Sequence, residues 1–180
     1  MGFSSKLLGR KDPAIEDASR IYKKLMVQSR QPAFYGANKA PDNYDGRIDM
    51  LTLHIAVVLK ALSKHGEQGE RLSQAIFDVM RDDFEVAMRE EGLSDTGIKR
   101  RIKPMMQLFY TRVKSYVEAL TSETALVQFE ETLKKGLLAE QNTSFPENLS
   151  RYAIDLYKNL ENLSLGRIAL AEFEIPPAPV

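Results

Sequence analysis

Few side chains in this chain have types and spacings that could do chemistry. Asp78, Asp82 and Glu85 fall at i, i+4 and i+7, so one helical face would carry three carboxylates. Two-carboxylate metal sites are built on such faces, but their helices normally pair the acid with a Glu-x-x-His, and no such motif occurs here. Arg81 and Arg89 sit beside these acids, so a salt-bridged face is expected instead. The two histidines are His54 and His65. His54 lies in an apolar run with Val57 and Val58 at i+3 and i+4, where a second metal ligand would stand, so a hydrogen-bonded core histidine is expected. His65 falls in a turn. Gly92 and Gly97 have the spacing of a phosphate loop, but Ile98 occupies the place of the required lysine. The chain has no cysteine, which removes disulfides and thiolate chemistry. The expectation is therefore no catalytic residue, no cofactor and no metal, and an interaction protein rather than an enzyme.

The elements that carry these residues are helical. With 180 residues and 43% apolar residues, the chain has one domain's worth of material and enough for a sizeable core. Asp12 as N-cap and Pro13 at the first helical position open a helix through Ile21, Leu25 and Met26 that Pro32 stops. A turn-rich loop follows, with Phe34, Tyr35 and Tyr44 on it, and is expected to be ordered and packed on the next helix because its aromatics must leave water. Asp45 is the expected cap of the second helix, Arg47 to about Lys64, whose apolar stripe is wide enough to be central. His65–Gly69 reads as a turn, and a third helix runs from about Glu70 to Glu91, stopped by Gly92. Ser94 or Asp95 caps a fourth, with Pro104 expected to kink it. Ser122 caps a fifth and Pro146 opens a sixth. Only residues 167–175 hint at a strand, and the Pro-rich end from Glu174 cannot be helical. The fold class is all-α: a single-domain bundle of about six helices, flanked by a basic tail over residues 1–11 and the Pro-rich tail over residues 174–180.

Charge is neutral in sum but segregated. Between Glu67 and Asp95 nine acids stand against three arginines; between Lys99 and Lys114 there are six bases and no acid. Two complementary neighbouring faces would explain this, as would an acidic partner, RNA or anionic lipid on the fourth helix. Helical geometry spreads Lys99, Arg100, Arg101 and Lys103 over more than one face, so some must point outward. Arg47 at a helix start has no favourable dipole interaction and is expected to find a carboxylate, with the acidic third helix a source. The longest apolar uncharged run, Met50 to Leu59, is too short to span a bilayer, and no secretory signal is present.

Three blocks of residues resemble the ubiquinol–cytochrome c chaperone family in its bacterial form. They are Gln31–Gly36 with Pro41-Asp42, Asp45–Met50 and Leu53-His54; then Ile76-Phe77-Asp78, Arg81-Asp82, Arg89–Gly92 and Asp95; then Ile102-Lys103, Met105, Phe109–Arg112 and Tyr116. The resemblance runs from about Ile21 to Tyr116. Asn43-Tyr44, Ser94 and Thr111 depart from the pattern, and the C-terminal third adds no motif. The resemblance implies a non-enzymatic assembly chaperone that binds newly made cytochrome b, or another reductase-complex subunit, during maturation of the ubiquinol–cytochrome c reductase complex. It also implies a small partner protein, contact with the ribosome or an anionic membrane surface, and a place in the cytoplasm or on the inner face of the plasma membrane. The candidate partner-binding residues are Phe34, Tyr35, Asp45, Arg47, His54, Asp78, Asp82, Arg89, Lys99, Arg100, Arg101, Lys103, Tyr110 and Arg112. The alternatives are a helical binding module with a different partner, or a metal protein using the carboxylate face.

Overall fold

The computed structural model describes residues 12–138 and 143–179. The basic segment over residues 1–11 lies outside the described residues. The described chain is all-α, with six long helices and a short seventh, and no strand among the described residues.

Helix α1, Pro13–Ser29, begins where Asp12 accepts a hydrogen bond from the Ala14 N–H with Pro13 at the first position. A 3₁₀ turn at Pro32–Phe34 leads into the loop. Helix α2, Tyr44–Leu62, is the centre of the bundle: it packs against α1, α3 (Gly66–Glu90), α4 (Asp95–Leu120) and α6 (Phe145–Glu161), and thirteen of its 19 residues are buried. Its all-round burial explains why its apolar positions do not form a single stripe. Helix α1 lies along α3, and α5 (Ala125–Lys135) fills the angle between α4 and α6. Helix α7, Leu165–Ala169, returns to α1.

Several boundaries differ from those expected. Asn43, not Asp45, caps α2: its extended backbone (φ −136°, ψ 179°) lets its side chain accept from the Gly46 N–H at 2.9 Å, and Asp45 falls in the exposed first turn. The turn expected at His65–Gly69 falls earlier, as a 3₁₀ turn at Ser63–His65. Gly66 alone takes φ +56°, and α3 starts there. Gly69 serves a different end: a Cβ on it would sit 2.1 Å from the Leu62 carbonyl oxygen, so glycine lets α2 and α3 cross closely. Ser94 is the cap of α4, and Gly92 at φ +86° ends α3, both as expected. Helix α4 continues across Pro104 without a break. Helix α5 starts at Ala125, not beside Ser122, because Ser122 instead accepts from the Thr124 N–H and forms a local turn. Residues 167–175 contain no strand; they finish α7 and then run extended over the bundle.

That extended end is tied down. Lys24 donates from Nζ to the carbonyls of Ala171 (2.8 Å) and Phe173 (2.5 Å), and its ammonium lies 4.4 Å from the centre of the Phe173 ring. Arg20 donates to the Ala169 carbonyl at 3.0 Å, and Asn159 to that of Glu174 at 3.2 Å. Phe173 is buried, and Ile175 and Ala178 pack on the core. No helix among the described residues is long and apolar enough to cross a membrane.

Candidate functional site

The aromatic loop folds inward. Phe34 is fully buried, its ring edge-on to His54 (5.4 Å between centroids) and to Tyr152 (5.3 Å). Gly36 at φ +124° turns the chain so that Ala40 N donates to the Phe34 carbonyl and Gly36 N to the Ala40 carbonyl, which satisfies the loop backbone. Tyr35 donates its hydroxyl to the Ser29 carbonyl, and its ring lies 6.0 Å from the Arg47 guanidinium. The loop's far leg is clamped on α2: a Cβ on Gly46 would lie 2.1 Å from the Pro41 carbonyl oxygen. Tyr44, by contrast, is half exposed, with its hydroxyl 4.0 Å from the Met105 sulfur.

His54 is the polar centre of this region. It is fully buried and makes two hydrogen bonds of 2.7 Å, from Nδ1 to the Met50 carbonyl and from Nε2 to the Tyr152 hydroxyl. A carbonyl only accepts, so Nδ1 carries the proton and Nε2 accepts from Tyr152. The Tyr152 oxygen accepts in turn from Gln28 at 3.1 Å, and Gln28 accepts from Gln31 at 2.7 Å. Burial pushes the imidazole down to about 4, so it is neutral at physiological pH, and pushes the Tyr152 hydroxyl up. The chain of bonds joins the loop, α1, α2 and α6 and holds His54 as the structural residue expected of it.

A second polar cluster joins α2 to α4. Arg112 Nε lies 3.4 Å from Asp49 Oδ1, with side chains only 23% and 13% exposed. Burial raises the Asp49 carboxyl above its usual value, and the Arg112 guanidinium partly offsets this. The guanidinium rests on Gly136, where a Cβ would be 2.0 Å from Nη1. Beside it the Tyr116 hydroxyl is buried without a hydrogen-bond partner among the described residues, and burial pushes it up. Sequence reasoning put Arg112 in a basic surface stripe. The structure withdraws it into the bundle, because Asp49 on the buried face of α2 requires a countercharge. The available signal was one acid in the apolar run of α2 and one base among Phe109, Val113 and Tyr116.

The remaining candidates stay on the surface and do not converge. Arg47 pairs with Asp42 of its own loop at 2.7 Å, and not with α3. Asp78 accepts from Gln74, Asp82 pairs with Arg81, and Glu85 lies within 3.8 Å of Arg81 and 3.5 Å of Arg89, which also reaches Asp95. The carboxylate face is thus partnered, and no group of acids and histidines among the described residues could hold a metal ion. Arg101 reaches Glu91 at 3.8 Å, whereas Lys99, Arg100 and Lys103 are exposed and carry no ion pair among the described residues. Tyr110 is half exposed and stacked on Phe77 at 5.0 Å.

Fold and site together define an all-α domain wrapped round one buried helix, whose polar groups fasten helix to helix and whose outer faces are charged. The chain belongs to the ubiquinol–cytochrome c chaperone family: the profile described as "Ubiquinol-cytochrome C chaperone" matches residues 37–175. That span includes the C-terminal third, in which no motif was legible, and starts after Phe34 and Tyr35. The chain is 22% identical over 127 residues to ubiquinol-cytochrome-c reductase complex assembly factor 1 of Xenopus laevis, covering 71% of this chain and 64% of that protein. It is 24% identical over 123 residues to the factor of the same name in Mus musculus, covering 68% of this chain and 42% of that one. The chain thus spans less than two thirds of these relatives' length. The crystal structure of the Cbp3 homolog from Brucella abortus shares the fold, with TM-score 0.78, 24% identity and 92% coverage of both chains.

Proposed function

We propose that this protein is an assembly chaperone for the ubiquinol–cytochrome c reductase complex, acting without catalysis by holding newly made cytochrome b, or another subunit, until it joins the complex. The family match over residues 37–175 carries this reading. The internal pairing of the acids and the burial of His54 support a binding role over a catalytic one. The test is a deletion strain read by the haem b spectrum of its membranes and by recovery of the intact complex. Loss of both, restored by the wild-type gene, is expected. Normal amounts of the complex in the deletion strain would refute the reading. Pulse-labelling followed by capture of the chaperone asks for the client directly: newly made cytochrome b should co-purify and then disappear during the chase.

Lys99, Arg100 and Lys103, exposed and without an ion pair among the described residues, favour one addition, contact with an anionic surface near the site where the client is made, either membrane lipid or ribosomal RNA. Charge reversal of all three to glutamate should keep helicity and abolish co-sedimentation with anionic vesicles or with ribosomes. Wild-type binding should weaken as salt rises. Salt-insensitive binding, or binding unchanged in the variant, would remove this addition.

A further inference from the structure

Two neighbouring cavities between α1 and α3 share three lining residues. One is an open groove of about 580 Å³ that includes Val27 and Val79; the other, of about 190 Å³, lies at the foot of α2 and is floored by Ile48, Leu51 and Phe84. Met26, Arg30 and Asp83 line both. The smaller volume matches one large apolar side chain, and the groove leading to it matches the path of a helix. Val27 on its wall is 72% exposed, the highest among the large apolar residues that stand out to solvent in the described chain.

Charge selects the occupant. Of the residues that line the two cavities, Asp83 is the one acid, and its carboxylate accepts the Tyr22 hydroxyl at 2.8 Å; Glu16 and Glu174 lie further out, beside Lys23 in the adjoining clefts. Arg47 at the inner mouth is neutralised by Asp42. Lys23 and Arg30, one turn on either side of Val27, are exposed and carry no ion pair among the described residues. A polar rim with two cations that have no ion-pair partner among the described residues, round an apolar floor, disfavours a basic segment and fits an apolar anchor flanked by acids.

We infer that this groove docks an amphipathic helix of a partner protein, one that seats a large apolar residue between Ile48 and Phe84 and sets Asp or Glu side chains against Lys23 and Arg30. The inference rests on the assembly role proposed above and adds the chemistry of the bound segment. The test places a photoreactive benzophenone residue at Val27 of the full chain in its own cells, with the same residue at Val127, exposed on α5, as control. The expected result is a crosslink at Val27 alone, to a segment that mass spectrometry shows to be apolar with flanking acids. Lys23→Glu with Arg30→Glu should cut its yield about tenfold without changing helicity or thermal unfolding, since both side chains are solvent-facing. Changing the segment's acids to lysine should restore the yield in that variant. A crosslink to lipid, to a second copy of this chain or to a basic segment, no crosslink, or a yield indifferent to the charge reversal would each overturn the inference. The assembly reading is scored separately by the deletion strain. If deletion abolishes the reductase and the double charge reversal leaves its amount normal, the groove inference fails and the function stands.

Discussion

Replacing Arg112 by alanine removes one member of the pair that joins α2 to α4 and leaves Asp49 buried. Taking one partner from a buried ion pair costs about 3–5 kcal/mol. The 13% and 23% exposures of the two side chains let some water reach the orphaned carboxylate, which puts the expected loss near the lower end, about 3 kcal/mol. For a chain of this length that is a fall in Tm of roughly 6–12 °C. The loss must also depend on pH. The Asp49 carboxyl is already raised by burial and held back by Arg112. A carboxyl with a raised folded-state pKa contributes stability that is complete below its unfolded value of 3.8 and is lost as pH rises through the folded value. Removing Arg112 raises the folded value further. The deficit of Arg112→Ala relative to wild type should therefore be small near about pH 4 and full near about pH 7. Urea unfolding followed by circular dichroism at both pH values measures it. Asp49→Ala and the double variant close the cycle, and a coupling of about 1.5 kcal/mol or more is expected between residues in contact. A coupling below about 0.5 kcal/mol, or a deficit that does not change with pH, would refute the reasoning.

Other outcomes follow from the buried polar and aromatic groups. Phe34→Ala should cost about 3–5 kcal/mol and speed amide exchange over residues 35–46, because its ring is wholly buried between His54 and Tyr152; slow exchange in that variant would show the loop to be held by other means. Tyr152→Phe should cost about 1–3 kcal/mol by taking the partner from His54 Nε2 and from the Gln28 Nε2 donor, read by the urea midpoint. His54 has its folded value depressed to about 4 from 6.5, so its contribution is complete above 6.5 and is lost as pH falls toward 4. Wild type should lose about 2 kcal/mol from this source between about pH 7 and about pH 5, and His54→Gln should flatten that slope. Gly136→Ala should disturb the same region as Arg112→Ala, since its Cβ would displace the guanidinium; wild-type stability in that variant would contradict the packing described.

What could be read from residue order was what is decided locally. Asp12 before Pro13 fixed a helix start, and Gly92 fixed a stop, because cap and positive φ are properties of a few consecutive residues. At Asp42-Asn43-Tyr44-Asp45 three side chains were able to cap, and the choice of Asn43 depends on the way the loop descends onto Gly46, which no local rule contains. Gly66 and Gly69 looked alike in sequence. One supplies a dihedral angle and the other a close approach of two helices, a tertiary fact. Arg112 was misplaced for the same reason: its partner Asp49 is remote in sequence, so the stripe of bases between Lys99 and Lys114 looked continuous until folding removed one of them. His54 was legible because an apolar helix leaves a histidine little choice, but Tyr152 and Gln28 were not, since only the fold brings them to it.

Lys24 gives the molecule a constraint in time. Its ammonium holds carbonyls 147 and 149 residues further along the chain, and the Tyr152 hydroxyl reaches back 98 residues to His54. At about 5–20 residues per second, roughly 7–30 s separate the synthesis of Lys24 from that of Phe173. Through that interval α1 and α3 can already lie together while the clasp over α1 and the acceptor bond on His54 both wait. The first helix made is among the last to be locked, so a chain interrupted short of residue 169 would lack the clasp that Arg20 and Lys24 close over α1.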